Sequence, residues 1–167
     1  MRPRVLVLAD VPAWAWGRKA QAYAKYLSDE FIITVGYYSQ IPPFWPFQLL
    51  HLMEFPQLKL LAEPKISDPK WLFPSPQRPF KVLSGITAHV WPTWGAEQVQ
   101  QWASMCDGLH ANSRLLEAEM RPFHHDIFYT PNGCDTDFWR RTRPRKGSSL
   151  VLGHVGKPNP RKGAHLI

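Results

Sequence analysis

The apolar positions of the chain first gather into a near-continuous run, "RVLVLAD", as in a strand buried on both faces of a parallel sheet. The loop "VPAWAWG" follows. Ala20, Tyr23, Ala24 and Leu27 then recur at i, i+3, i+4 and i+7, one face of an amphipathic helix within "RKAQAYAKYLSD". "FIITVGYY" returns to strand character. Strand, loop, helix and strand in this order predict a parallel βαβ unit. Its right-handed crossover leaves the first loop at the carboxyl edge of the sheet, where such folds bind ligands.

From 41 to 80 the pattern weakens. "PFQLLHLM" fits either a third strand or a short helix, and "QLKLLAE" fits a short helix. Residues 64–79 read as loop, with Trp71, Phe73 and Phe80 as aromatic anchors. The chain has 17 prolines, and their clustering between Pro42 and Pro92 marks a long, irregular Pro/Trp-rich insertion at about 41–80. Order returns with "FKVLSGITAHVW", a strand leading into a glycine and a histidine-bearing loop. Helical spacing follows at Ala96, Val99, Ala103 and Cys106. "GLHA" is a short strand, and "NSRLLEAEM" a helix that Asn112 or Ser113 caps and Pro122 ends. "DIFYT" is the last strand of the set. Asn132 and Gly133 in "PNG" then predict a turn, since both residues tolerate positive φ. Residues 135–149 are polar and basic, and "SLVL" starts a new strand. The expected division is therefore 1–145 for the first domain and 146–167 for a linker with the start of a second.

A hydrophobic fraction of 44% with eight tryptophans supports a packed core and excludes global disorder. The net charge of +7 matters through its placement. No acidic residue follows Asp137, whereas Arg140, Arg141, Arg143, Arg145, Lys146, Lys157, Arg161 and Lys162 all do. Such a field attracts phosphates, on a sugar nucleotide, a nucleic acid or an anionic lipid surface. For the arginines at 140–146, a solvated linker is an equal reading. Cys106 and Cys134 match no metal or redox spacing, and suit small buried thiols in a reducing compartment. The apolar run at 5–9 is too short for a secretory segment, and no stretch approaches transmembrane length. A cytoplasmic protein is expected.

Two stretches carry a resemblance. "ANSRLLEAE" with "TPNGCDTDFWRR" and, after the basic linker, "LGHVGKPNPRKGAHLI" resemble the junction between the two Rossmann-like domains of family-4 glycosyltransferases of the GT-B fold. In that family a "PNG-V-D" segment closes the N-terminal domain, and a strand, a short basic loop and "KG" open the C-terminal one. The opening "VLVLADVPAWAWGRKAQAYAKYL" is similar to the family's first strand, loop and helix. The resemblance covers most of the chain, with its specific motifs at 112–139 and 153–163. The expected fold is α/β, a Rossmann-like parallel sheet flanked by helices, followed by a truncated start of a second Rossmann-like domain.

The resemblance implies transfer of a hexose from a nucleotide sugar to a carbohydrate or lipid-linked acceptor, with retention, in a cleft between the domains. Lys157 and Lys162, with Arg161 beside them, would hold the donor diphosphate, because cations neutralise the phosphates and the charge growing on the leaving nucleotide. No metal and no cofactor are implied. His89 stands where the family places a histidine facing the reacting sugar, and is the candidate catalytic residue; an ordinary loop or capping histidine is the other reading. Gly17 and Trp14 of the first loop, with Asn132, Gly133 and Asp135, are candidates to line the cleft. Trp14 and Trp16 suit either stacking on a sugar or packing on the domain. The single glycine at 17 stands where the family commonly has two.

One departure limits the expectation. The family carries two glutamates eight positions apart, Glu-x7-Glu, late in its second domain, and no glutamate here has such a partner. The chain by itself is therefore expected to be an inactive fragment that lacks its C-terminal domain. Peripheral membrane contact is compatible with this reading, and nucleic acid is not an expected partner. The alternative is a stand-alone α/β module that binds nucleic acid or phosphorylated ligands through its basic C-terminal end. A third is an interaction protein using the Trp/Pro stretch.

Overall fold

β1 (Arg4–Ala9) is an interior strand, and all but its first residue are buried, as an unbroken β-branched and leucine run requires. The computed structural model describes residues 1–89, 91–134 and 136, with backbone only for 91–93. Five further strands join β1: β2 (Ile32–Tyr37), β3 (Leu49–Leu52), β4 (Lys81–Ile86), β5 (Gly108–Ala111) and β6 (Ile127–Tyr129). They pair in the order β2-β1-β3-β4-β5-β6, and every pairing is parallel. The fold is α/β, a Rossmann-like sheet flanked by helices.

The helices divide between the two faces. α1 (Ala15–Tyr26) buries Ala20 against Val5, Val7, Ala9 and Met53. α2 (Trp91–Ala103) and α3 (Arg114–Met120) lie on the opposite face with a 3-10 helix, Phe55–Ala62. There Val99, Ala103, Leu116, Met120, Leu58 and Leu61 share one hydrophobic cluster with Leu6, Leu8, Leu50, Leu52, Leu109 and Ile127. The order of strands reverses direction between β1 and β3, the position at which open parallel sheets form a crevice.

Residues 41–80 are not peripheral to this architecture. They supply β3, a central strand, and Phe44, Phe47, Phe55, Leu58 and Leu61 to the core. "LLHL" is a strand because it lies between β1 and β4 with both faces covered, and "FPQLKLLA" becomes the 3-10 helix. A second short 3-10 turn, Pro69–Trp71, starts at Asp68, whose carboxylate accepts from the Lys70 amide at 3.1 Å. α1 begins before the expected periodic residues, with Trp14 as its N-cap, and Leu27 falls just past its end. α2 breaks at Gly95, whose φ of 68° and ψ of 167° only glycine adopts readily. Ser113, rather than Asn112, caps α3: its Oγ accepts from the Leu116 amide at 3.2 Å.

The turn expected at Asn132–Gly133 takes another form. Among the described residues only Gly95 has positive φ, so neither Asn132 nor Gly133 uses the left-handed region. The chain leaves β6 held by Thr130, whose amide donates to the Ala111 carbonyl at 2.9 Å. Of the two cysteines, Cys106 is buried and Cys134 is exposed, contrary to the expectation that both are buried. Burial pushes the Cys106 thiol well above its usual range, so it packs as a small apolar residue. Two compact units divide the chain, Met1–Asn132 and Gly133–Ile167, and all described strands and helices belong to the first. The expected second-domain start at 146–167 lies outside the described residues. Among the described residues no helix is long and apolar enough to cross a membrane.

Candidate functional site at the carboxyl edge of the sheet

Because the strands are all parallel, the segments that follow them emerge together. The edge so formed carries Asp10 and the loop 11–14 after β1, Glu54 after β3, His89 after β4, Ser113 after β5 and Thr130 to Asn132 after β6. Trp14 is exposed as the N-cap of α1. Gly17 is buried, and a Cβ there would run into the carbonyl oxygens of Val11 and Pro12. Its close backbone approach is thus to its own loop. Trp16 packs on the core beside Val5 and Val7, and its indole donates to the Glu54 carboxylate. Burial raises the Glu54 pKa above the ordinary carboxylate value, which the Trp16 hydrogen bond partly opposes.

His89 is exposed and tied to α3. Its Nδ1 lies 2.9 and 2.8 Å from the two carboxylate oxygens of Glu119. A carboxylate can only accept, so Nδ1–H donates to Glu119 and Nε2 is the ring nitrogen left to meet a ligand. Asn132 also has a partner: its Oδ1 accepts from Lys19 Nζ at 3.0 Å. That bond joins the second turn of α1 to the exit of β6, across 113 residues of sequence. The Lys19 ammonium lies 5.9 Å from the ring centres of both Trp16 and Tyr23, and burial holds its pKa below the usual lysine value. The candidate catalytic residue His89 and the expected cleft residues Trp14, Gly17 and Asn132 therefore follow strands at one edge. Gly133 begins the second compact unit, and Asp135, Lys157, Arg161 and Lys162 lie outside the described residues.

Behind this edge is a group that the sequence reading did not single out. His51 of β3 and His110 of β5 meet Nε2 to Nε2 at 2.8 Å, and His110 Nδ1 lies 2.8 Å from Thr130 Oγ1. His51 stacks on Tyr23, with ring centres 5.4 Å apart. Burial pushes the His51 pKa down to about 3, with the His110 ring and Lys19 adding to the shift. His110 falls to about 4, for burial first and Lys19 second. Both imidazoles are neutral at pH 7. The available signal was a histidine inside each of two apolar strands, "LLHL" and "GLHA".

No family model, curated protein or solved structure matches this chain.

Proposed function

We propose that this chain is the acceptor-side portion of a retaining glycosyltransferase that takes a hexose from a nucleotide sugar. The observation that carries the reading is the Lys19–Asn132 hydrogen bond. It joins the two regions that resemble the family, the first loop-helix and the "PNG" segment, at the carboxyl edge of a parallel sheet. His89 follows β4 at that edge with Nδ1 held by Glu119, which leaves Nε2 to hydrogen-bond a sugar hydroxyl. The donor diphosphate falls to Lys157, Arg161 and Lys162, and the protein acts in the cytoplasm on a carbohydrate or lipid-linked acceptor.

Reading the coding DNA beyond Ile167 and assaying the polypeptide it encodes tests this. An open frame reaching a Glu-x7-Glu region is expected, together with nucleotide release from one member of a nucleotide-sugar panel. Lys162→Ala should weaken donor binding at least tenfold, and His89→Ala should lower turnover with donor affinity kept. A stop codon directly after Ile167, or no turnover of any nucleotide sugar by the encoded polypeptide, overturns the proposal.

A further inference from the structure

β3 and β5 are not neighbours in the sheet, because β4 runs between them. Their histidines nevertheless touch. In register, His51 lies beside Leu83 and His110 beside Gly85, on the face covered by α1. The bridge depends on Gly85, where an added Cβ would sit 3.1 Å from His110 Nε2 and 2.6 Å from the Met53 carbonyl oxygen. A side chain at 85 would therefore occupy the space in which the two rings meet.

Two imidazole Nε2 atoms at 2.8 Å admit one proton between them, one nitrogen donating and the other accepting. Two settings are chemically consistent. Either His51 donates to His110, whose Nδ1–H then donates to Thr130 Oγ1, or the Thr130 hydroxyl donates to His110 and His110 to His51. The chain thus runs from the sheet interior to an exposed threonine at the exit of β6. Thr130 is held at a second point by its amide bond to Ala111. Pro131 follows, fixing its own φ and restricting Thr130 to extended backbone. The next residue is Asn132, whose side chain holds Lys19.

We infer that His51, His110 and Thr130 form a positioning relay that sets the place of Asn132, and through it the Lys19 ammonium, at the carboxyl edge, and that a second proton between the rings opens it. The charged and titratable groups facing the pair are Lys19 and Tyr23 of α1; β4 contributes Leu83 and Gly85, which do not titrate. Burial and the Lys19 ammonium both oppose a charge on either ring. The relay does not rest on the proposed function, and its test needs no enzymatic activity.

The test uses the 167-residue chain labelled with 15N-histidine. At pH 7 a through-hydrogen-bond 15N–15N coupling between the two Nε2 nuclei is expected; it should persist when one ring is protonated and vanish below about pH 3, where both rings are. Acylation of Lys19 by acetic anhydride, followed by peptide mapping, reads the far end. Thr130→Val, at an exposed position that leaves the core intact, should raise the Lys19 rate at least threefold while Lys65 and Lys70 stay unchanged. Thr130→Ser should restore the original rate. His110→Gln should abolish the coupling and match Thr130→Val in Lys19 reactivity. Absence of the coupling at pH 7 overturns the inference, and so does a Lys19 rate that Thr130→Val leaves unchanged.

Discussion

The two faces of one sheet are built on opposite plans. Toward α2, α3 and the 3-10 helix, the strands present Leu6, Leu8, Leu50, Leu52, Val82, Ile86, Leu109 and Ala111, and Ser84 is the polar exception. Toward α1 they present Val5, Val7 and Ala9, and then His51, Gly85 and His110. The first face is close-packed and non-directional, so its contribution follows the apolar area removed from water. The second keeps polar atoms inside only because each is spent on a specific partner at a specific distance. One face supplies cohesion and the other supplies position.

The largest expected effect breaks the cohesive face. Leu50 is fully buried in the central strand, so Leu50→Ala should lower the unfolding free energy by about 2–5 kcal/mol, read by urea denaturation. The pH dependence of stability comes next and belongs to the other face. His51 and His110 have folded pKa values of about 3 and about 4, below the ordinary 6.5. As pH falls through 6.5 the unfolded chain therefore takes up protons first. Their contribution is complete above that value and is lost progressively toward pH 4 and below. The urea midpoint should fall between pH 7.5 and pH 5, and His110→Gln should flatten that fall. A pH dependence unchanged by His110→Gln would remove the distinction drawn between the faces. The smallest effect sharpens the comparison from within the apolar face. Ser84 is fully buried, and its Oγ has no hydrogen-bond partner among the described residues. Ser84→Ala should therefore raise stability by about 1 kcal/mol, visible as a higher thermal midpoint.

How much of this was legible depended on what each element obeys. β1, α1 and β2 follow hydrophobic periodicity and could be read directly from "RVLVLAD" and the spacing of Ala20, Tyr23 and Ala24. β3 could not, because four residues between proline-rich flanks show no period, and only pairing with β1 and β4 makes "LLHL" a strand. The break at Gly95 was invisible for a similar reason: a glycine inside a helical pattern does not declare its φ. Asn132–Gly133 misled in the other direction. Its composition permits a left-handed turn, but the Asn132 side chain is engaged by Lys19 and the backbone stays out of that region. At the site, His89 was visible from its place after a strand, whereas its partner Glu119 lies 30 residues on, in a helix whose position only the fold reveals. The His51–His110 pair was hidden for the same reason, since its residues sit on strands separated by a third.

The strand order also governs how quickly the chain can find this structure. Parallel neighbours cannot be joined by a tight hairpin, so every one of these pairings must close a crossover before its contacts form. β1 is the extreme case. β1 meets β2 after one helix, but its other side stays bare until Leu49–Leu52 arrives, beyond α1, β2 and the proline-rich loop. Loop-closure entropy comes before the reward of contact, which places such topologies among the slower folders. During synthesis this apolar strand emerges ahead of the other described strands and waits longest among them for its second neighbour, and in that interval the chain is open to aggregation or chaperone capture.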